Sequence, residues 1–83
     1  MAYSNPTSGI GFNVIRGTAT INAGSTSVVV NLPTSISSYS VVVTPTTSLS
    51  ALWWVSNKTS TSFTINIATS LSTNTTFDYV VIY

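Results

Sequence analysis

Cysteine, histidine and glutamate are absent from this 83-residue chain, and formal charge is confined to Arg16, Lys58 and Asp78. Charged residues make up 4% of the sequence, against about 25% in ordinary soluble domains. General acid–base catalysis needs a proton carrier of tunable pKa, usually His or a carboxylate. The abundant serines have no evident base to activate them, and paired-carboxylate chemistry needs two acids where this chain has one. The chain is therefore read as a non-enzyme, with no catalytic and no cofactor-binding residue. It has no metal site either, since zinc favours Cys and His, and calcium favours several carboxylates. Two cations far apart in sequence do not make a phosphate-binding cluster, so nucleic acid is not an expected partner. Without cysteine no disulfide can staple the fold.

Hydrophobic residues account for 43% of the chain, yet no run is long enough to span a bilayer, so no membrane insertion is expected. The opening Met1-Ala2-Tyr3-Ser4-Asn5-Pro6 has neither the basic nor the apolar stretch of a secretory signal. Val, Ile, Thr, Tyr, Phe and Trp recur throughout, a vocabulary suited to a pleated, half-buried surface. Ser and Thr together supply 30 of the 83 residues and stand in for charge as the water-facing side chains. A surface this close to neutral lacks the repulsion that keeps proteins apart. A domain of this size buries only about 60 to 65% of its unfolded surface, so covering more surface between subunits would stabilise it.

The chain divides into an irregular N-terminal arm, residues 1–11, and a β-domain, residues 12–83. Pro6, Gly9 and Gly11 mark the arm, which would either wrap a neighbouring subunit or fray. Strands are expected over Phe12 to Ile21, Thr26 to Leu32, Tyr39 to Thr44 and Ala51 to Ser56, then around Phe63, Ile65 and Ile67, and finally over Thr76 to Tyr83. Pro33 and Pro45 are expected to stop the second and third, because proline cannot donate to a ladder. The alternation of Phe63, Ile65 and Ile67 with Thr64 and Asn66 is the clearest sign of one buried and one wet face. Val28-Val29-Val30, Val41-Val42-Val43 and the last strand are apolar on both faces. Either one sheet face meets another subunit or these strands turn a barrel corner. The fold class is all-β, a small antiparallel β-sandwich or barrel of about six strands.

Four segments in order carry a resemblance: Ser40-Val41-Val42-Val43-Thr44-Pro45, Trp53-Trp54-Val55-Ser56-Asn57, Thr61-Ser62-Phe63-Thr64-Ile65-Asn66 and Thr76-Phe77-Asp78-Tyr79-Val80-Val81. Upstream, Gly17-Thr18-Ala19-Thr20-Ile21 and Ala23-Gly24-Ser25-Thr26-Ser27 extend it. The pattern resembles small β-sandwich domains of bacteriophage and other virion proteins, including tail-fibre domains and folds similar to H-type lectins. The resemblance implies a homo-oligomer, often a trimer, working beside other virion proteins such as a major capsid or tail protein, with some relatives touching host-surface glycans. Such domains usually sit within longer proteins, so a chain of this size is expected to be a capsid decoration (cement) subunit, or a turret or fibre component. Its expected location is the virion, after synthesis in the host cytoplasm.

Two accounts of Trp53 and Trp54 stay open. A regular pleat sends them to opposite faces, placing one in the core and one in a subunit interface, where Trp and Tyr are enriched. Alternatively they form a sugar-stacking platform, with Asn57, Trp54 and Tyr39 as its residues. Tyr79 and Tyr83 join the interface or glycan candidates. Asp78, between Phe77 and Tyr79, is expected to be partly buried and to pair with Lys58 or Arg16, because a buried acid needs a partner. Asn57-Lys58-Thr59 and Asn74-Thr75-Thr76 match the glycosylation acceptor pattern, which chance explains in a Thr-rich chain.

Overall fold

The structure, a computed structural model, describes residues 13–83. The expected arm, residues 1–11, and the expected strand start at Phe12 lie outside the described residues. Six strands follow in chain order: β1 (Val14–Ile21), β2 (Ser27–Asn31), β3 (Ser40–Pro45), β4 (Trp53–Ser56), β5 (Ser62–Ile67) and β6 (Thr75–Ile82). Among the described residues there is no helix. The all-β fold of about six strands expected from the sequence is what the described residues form, and of the two architectures expected, sandwich or barrel, it is two three-stranded antiparallel sheets, ordered β1-β6-β3 and β2-β5-β4.

Each sheet is built around the strand whose alternate residues are most strongly apolar. In the second sheet β5 is central, with Phe63 and Ile65 fully buried and Ile67 nearly so. Burying side chains of that size is worth roughly 1.5 to 3 kcal/mol apiece. β6 holds the same place in the first sheet, sending Phe77 and Val81 to the interior. Ile21 from the end of β1, Val30 from β2 and Ile36 from the β2–β3 connection complete the buried apolar set among the described residues. The Ile36 amide donates to the Ser60 carbonyl at 2.8 Å, which folds that Ser-rich connection back over the core.

Among the described residues, only β4 and β5 are both consecutive and paired. Every other connection crosses between the sheets, so the tight turns link layers rather than hairpins. The β1–β2 turn illustrates this. Ser25 donates to the Asn22 carbonyl at 2.9 Å, and Gly24 takes φ 84°, a conformation that costs glycine little. Pro45 corrects one expectation. It is the last residue of β3, opposite Phe77, rather than the residue that stops the strand. The third strand lies at a sheet edge, where a missing donor is tolerated.

The valine triplets resolve by simple alternation. Val28, Val30, Val41 and Val43 turn inward, while Val29 and Val42 stay exposed.

Candidate functional site

The first sheet's outer surface is assembled in rows by the register of β1 and β3 on β6. Val14, Ile82 and Ser40 form one row; Arg16, Val80 and Val42 the next; Thr18, Asp78 and Thr44 the third. Thr20 and Thr76 close the sheet, with their hydroxyls 3.1 Å apart. One end of the face is thus an apolar quartet, Val14, Val42, Val80 and Ile82, and the other a field of threonines. Val14 is 47% and Val42 54% exposed, while Val80 and Ile82 are half-buried. Arg16 and Asp78 stand at the boundary, on adjacent strands and one step apart diagonally, beside a shallow hollow of about 430 Å³ lined by Arg16, Gly17, Thr18, Asp78, Tyr79 and Val80.

Gly17 explains why the interior behind this hollow closes. It lies opposite Tyr79, and a Cβ at Gly17 would fall 2.5 Å from the Tyr79 hydroxyl oxygen. The phenol therefore crosses the space that a side chain would fill. Its ring also meets Phe63 edge to face at 5.6 Å, a favoured aromatic geometry. Tyr79, one of the interface or glycan candidates, is partly buried and packs against the core.

Asp78 is exposed, not partly buried as expected, because the alternation that turns Phe77 and Tyr79 inward turns it out. Lys58 lies elsewhere. Its ammonium donates to the Tyr39 carbonyl at 2.6 Å and sits 4.7 Å from the centre of the Tyr39 ring. Of the two cations expected to pair with Asp78, Arg16 is the one that shares its face.

Tyr39 fastens the approach to β3 onto the β4–β5 turn. Its hydroxyl is shared between the carbonyls of Thr59, at 2.7 Å, and Ser62, at 3.0 Å. Partial burial raises the pKa of this phenol above its usual value, so it remains a donor at neutral pH. The turn is stiffened by Asn57 in the left-handed region at φ 51°, which Asn tolerates better than most residues. The Thr59 hydroxyl accepts from the Ser62 amide at 3.1 Å. Ser37, Ser38, Tyr39, Lys58, Thr59 and Ser60 line a cleft of about 250 Å³ here. Of the three glycan candidates Asn57, Trp54 and Tyr39, Tyr39 lines this cleft and Trp54 and Asn57 do not. Asn74, in the second glycosylation-like triplet, accepts from the Ala23 amide at 2.8 Å through its side-chain oxygen. It ties two loops together.

Both tryptophans keep substantial solvent contact, so neither fills the core. Trp53 leans in from edge strand β4 against Phe77, with ring centres 6.4 Å apart and 40% of its surface exposed. Trp54 lies on the outer face of the second sheet, opposite Asn66. The Asn66 amide donates to the Ser56 hydroxyl at 2.8 Å. Tyr83 pairs its backbone with Asn13 in both directions, at 2.6 and 3.0 Å, and its side chain is 36% exposed. Sequence reasoning missed the apolar quartet as a unit, because Val14 and Ile82 join it only through the β1–β6 register.

Comparison with protein-family models, curated protein sequences and solved structures finds no match.

Proposed function

We propose that this protein is a non-enzymatic structural subunit that self-associates through the outer face of the first sheet, and that its assembly forms part of a virion, as a capsid decoration, turret or fibre component. One observation carries the reading: Val14, Val42, Val80 and Ile82 are contiguous on an outward face, and Val14 and Val42 are each about half exposed. Contiguous exposed apolar surface on a small domain marks an interaction site more often than chance exposure does. The near absence of charge elsewhere on the chain removes the usual electrostatic opposition to self-association. The virion assignment rests on the resemblance of the strand segments to virion β-sandwich domains.

Light scattering coupled to size-exclusion chromatography tests the assembly. A dimer or larger species at tens of micromolar supports it. A monomer at several hundred micromolar would remove it. The virion assignment is tested separately, by probing density-purified particles with an antibody against the chain; its absence from every particle fraction would discard that part alone.

Trp54 supports a second reading, a carbohydrate-binding module, because its indole is 48% exposed on a face bearing the Asn66 amide. Aromatic faces pack against the C–H faces of sugars. Sugar-dependent quenching of tryptophan fluorescence in the assembled protein would favour this reading over a purely structural one.

A further inference from the structure

We infer that the occupant of the first sheet's outer face is a second copy of the same face, related by a two-fold axis, with Arg16 of each copy paired to the second copy's Asp78. This rests on the self-association proposed above and specifies its geometry. Two of the three formal charges in the chain lie on this face, one of each sign. A face with zero net charge offers little to a strongly acidic or basic partner. It is, however, complementary to itself, as an isologous interface requires.

The positions fit such an operation. Arg16 lies directly across from Val80, and Asp78 directly across from Thr18, so the midpoint between the two charges falls between Val80 and Thr18, at the border of the apolar and threonine ends. A two-fold axis lying in the interface, through that midpoint and perpendicular to the line between the two residues, exchanges the charged positions, giving two Arg16–Asp78 pairs. The same axis brings Val80 and Val42 close to their own copies, with the strands of the two sheets crossing steeply, as in orthogonal sheet packing. Arg suits the role because its planar fork can hold a carboxylate through two hydrogen bonds.

The size of the face sets the expected strength. Two strands of eight residues and one of six, at about 3.3 Å per residue and about 4.8 Å apart, give a plan area of roughly 350 Å², against about 800 Å² per partner in a standard interface. The pair should therefore associate at micromolar rather than nanomolar concentration.

The decisive experiment mixes two variants. Arg16→Asp alone faces acid with acid across the axis, and Asp78→Arg alone faces base with base, so each should dimerise at least tenfold more weakly than the unchanged chain in sedimentation equilibrium. Mixed in equal amounts they should recover dimer, because each supplies the charge that the other lacks. The double variant R16D/D78R should recover as well. If the double variant recovers and the mixture does not, the two residues pair within one chain and the inference falls. A trimer or larger ring from the unchanged chain also overturns the two-fold pairing, while leaving self-association intact; a monomer at every concentration removes both. Should a charge-reversed variant fail to fold by circular dichroism, the neutral pair Arg16→Gln and Asp78→Asn gives a double-mutant cycle. In that cycle, additive effects on dimerisation would overturn the contact.

Discussion

The two sheets share the same inward logic and differ in what they present to solvent. On the second sheet, the outward residues are Ser27, Val29, Asn31, Trp54, Ser56, Ser62, Thr64 and Asn66. Two of these polar groups satisfy each other, the Asn66 amide donating to the Ser56 hydroxyl at 2.8 Å, and Ser62 has the Thr59 hydroxyl of the adjoining turn 3.1 Å from its own. On the first sheet, Val14, Val42, Val80 and Ile82 gather at one end beside Arg16 and Asp78. The second face scatters its exposed apolar groups, Val29 and Trp54, among polar ones. A face that concentrates apolar area and opposite charges is completed by a partner, since apolar surface gains roughly 25 cal/mol per Å² on removal from water.

The largest expected effect comes from making the first face resemble a wet one. Val80→Asp puts a carboxylate at its centre, next to Asp78 on the same strand face, and should weaken self-association by about 30-fold or more, the scale of a central interface residue at roughly 2 kcal/mol. Because Val80 is half-buried on a central strand and Asp is unfavourable in strands, thermal melting of the dilute monomer should fall as well, so association is compared at a temperature where both chains are folded. Equal affinity for variant and unchanged chain, measured by sedimentation, would erase the distinction between the two faces.

A smaller effect is expected just behind the same hollow. In Gly17→Ala the new methyl would lie 2.5 Å from the Tyr79 oxygen and 2.7 Å from the adjoining ring carbon, so the phenol must move from its place against Phe63. Overpacking of this kind costs about 1 to 3 kcal/mol, read as a lower melting temperature. Adding Tyr79→Phe should recover part of the loss by removing the atom that clashes. No change in melting for the single variant would show that Tyr79 is not held over Gly17.

Next comes Tyr39→Phe, which touches the second sheet's turn and leaves the first face alone. It leaves the Thr59 and Ser62 carbonyls without the shared hydroxyl while keeping the ring beneath Lys58. Stability should fall by about 1 kcal/mol, the usual net worth of such hydrogen bonds, with self-association unaltered. A loss of association from this variant would mean that the turn, rather than the sheet face, mediates contact.

These contrasts were unevenly legible in the sequence. The alternation of Phe63, Ile65 and Ile67 gave strand and buried face together, because each inward position is apolar and each outward one polar. The valine triplets announced apolar residues on both faces, and Val29 and Val42 are indeed exposed. Alternation alone could not say that Val42 lies beside Val80 and in line with Arg16, since that follows from β6 pairing with both β1 and β3 across long stretches of chain. Ile36 was hidden among serines that read as loop, although it is only 6% exposed. The inward packing of Tyr79 was written partly in Gly17, the one residue type that leaves room for a phenol across the strand pair. Only the register shows that the two are opposed.

The smallest expected effect falls on the second face, and it separates the two functional readings most cleanly. Trp54 holds an exposed indole at an edge strand, so Trp54→Ala removes surface that is largely wet. If the second face is complete as it stands, the substitution should change folding stability by no more than about 0.5 kcal/mol, the range of ordinary surface changes, and leave the oligomer's mass as it was. Fluorescence in the unchanged protein should then be quenched readily by acrylamide and be indifferent to added sugars. A sugar-dependent change that disappears with Trp54→Ala would instead give the second face its own ligand. The first sheet would then serve to hold several copies of that site together, converting weak single-site binding into avidity.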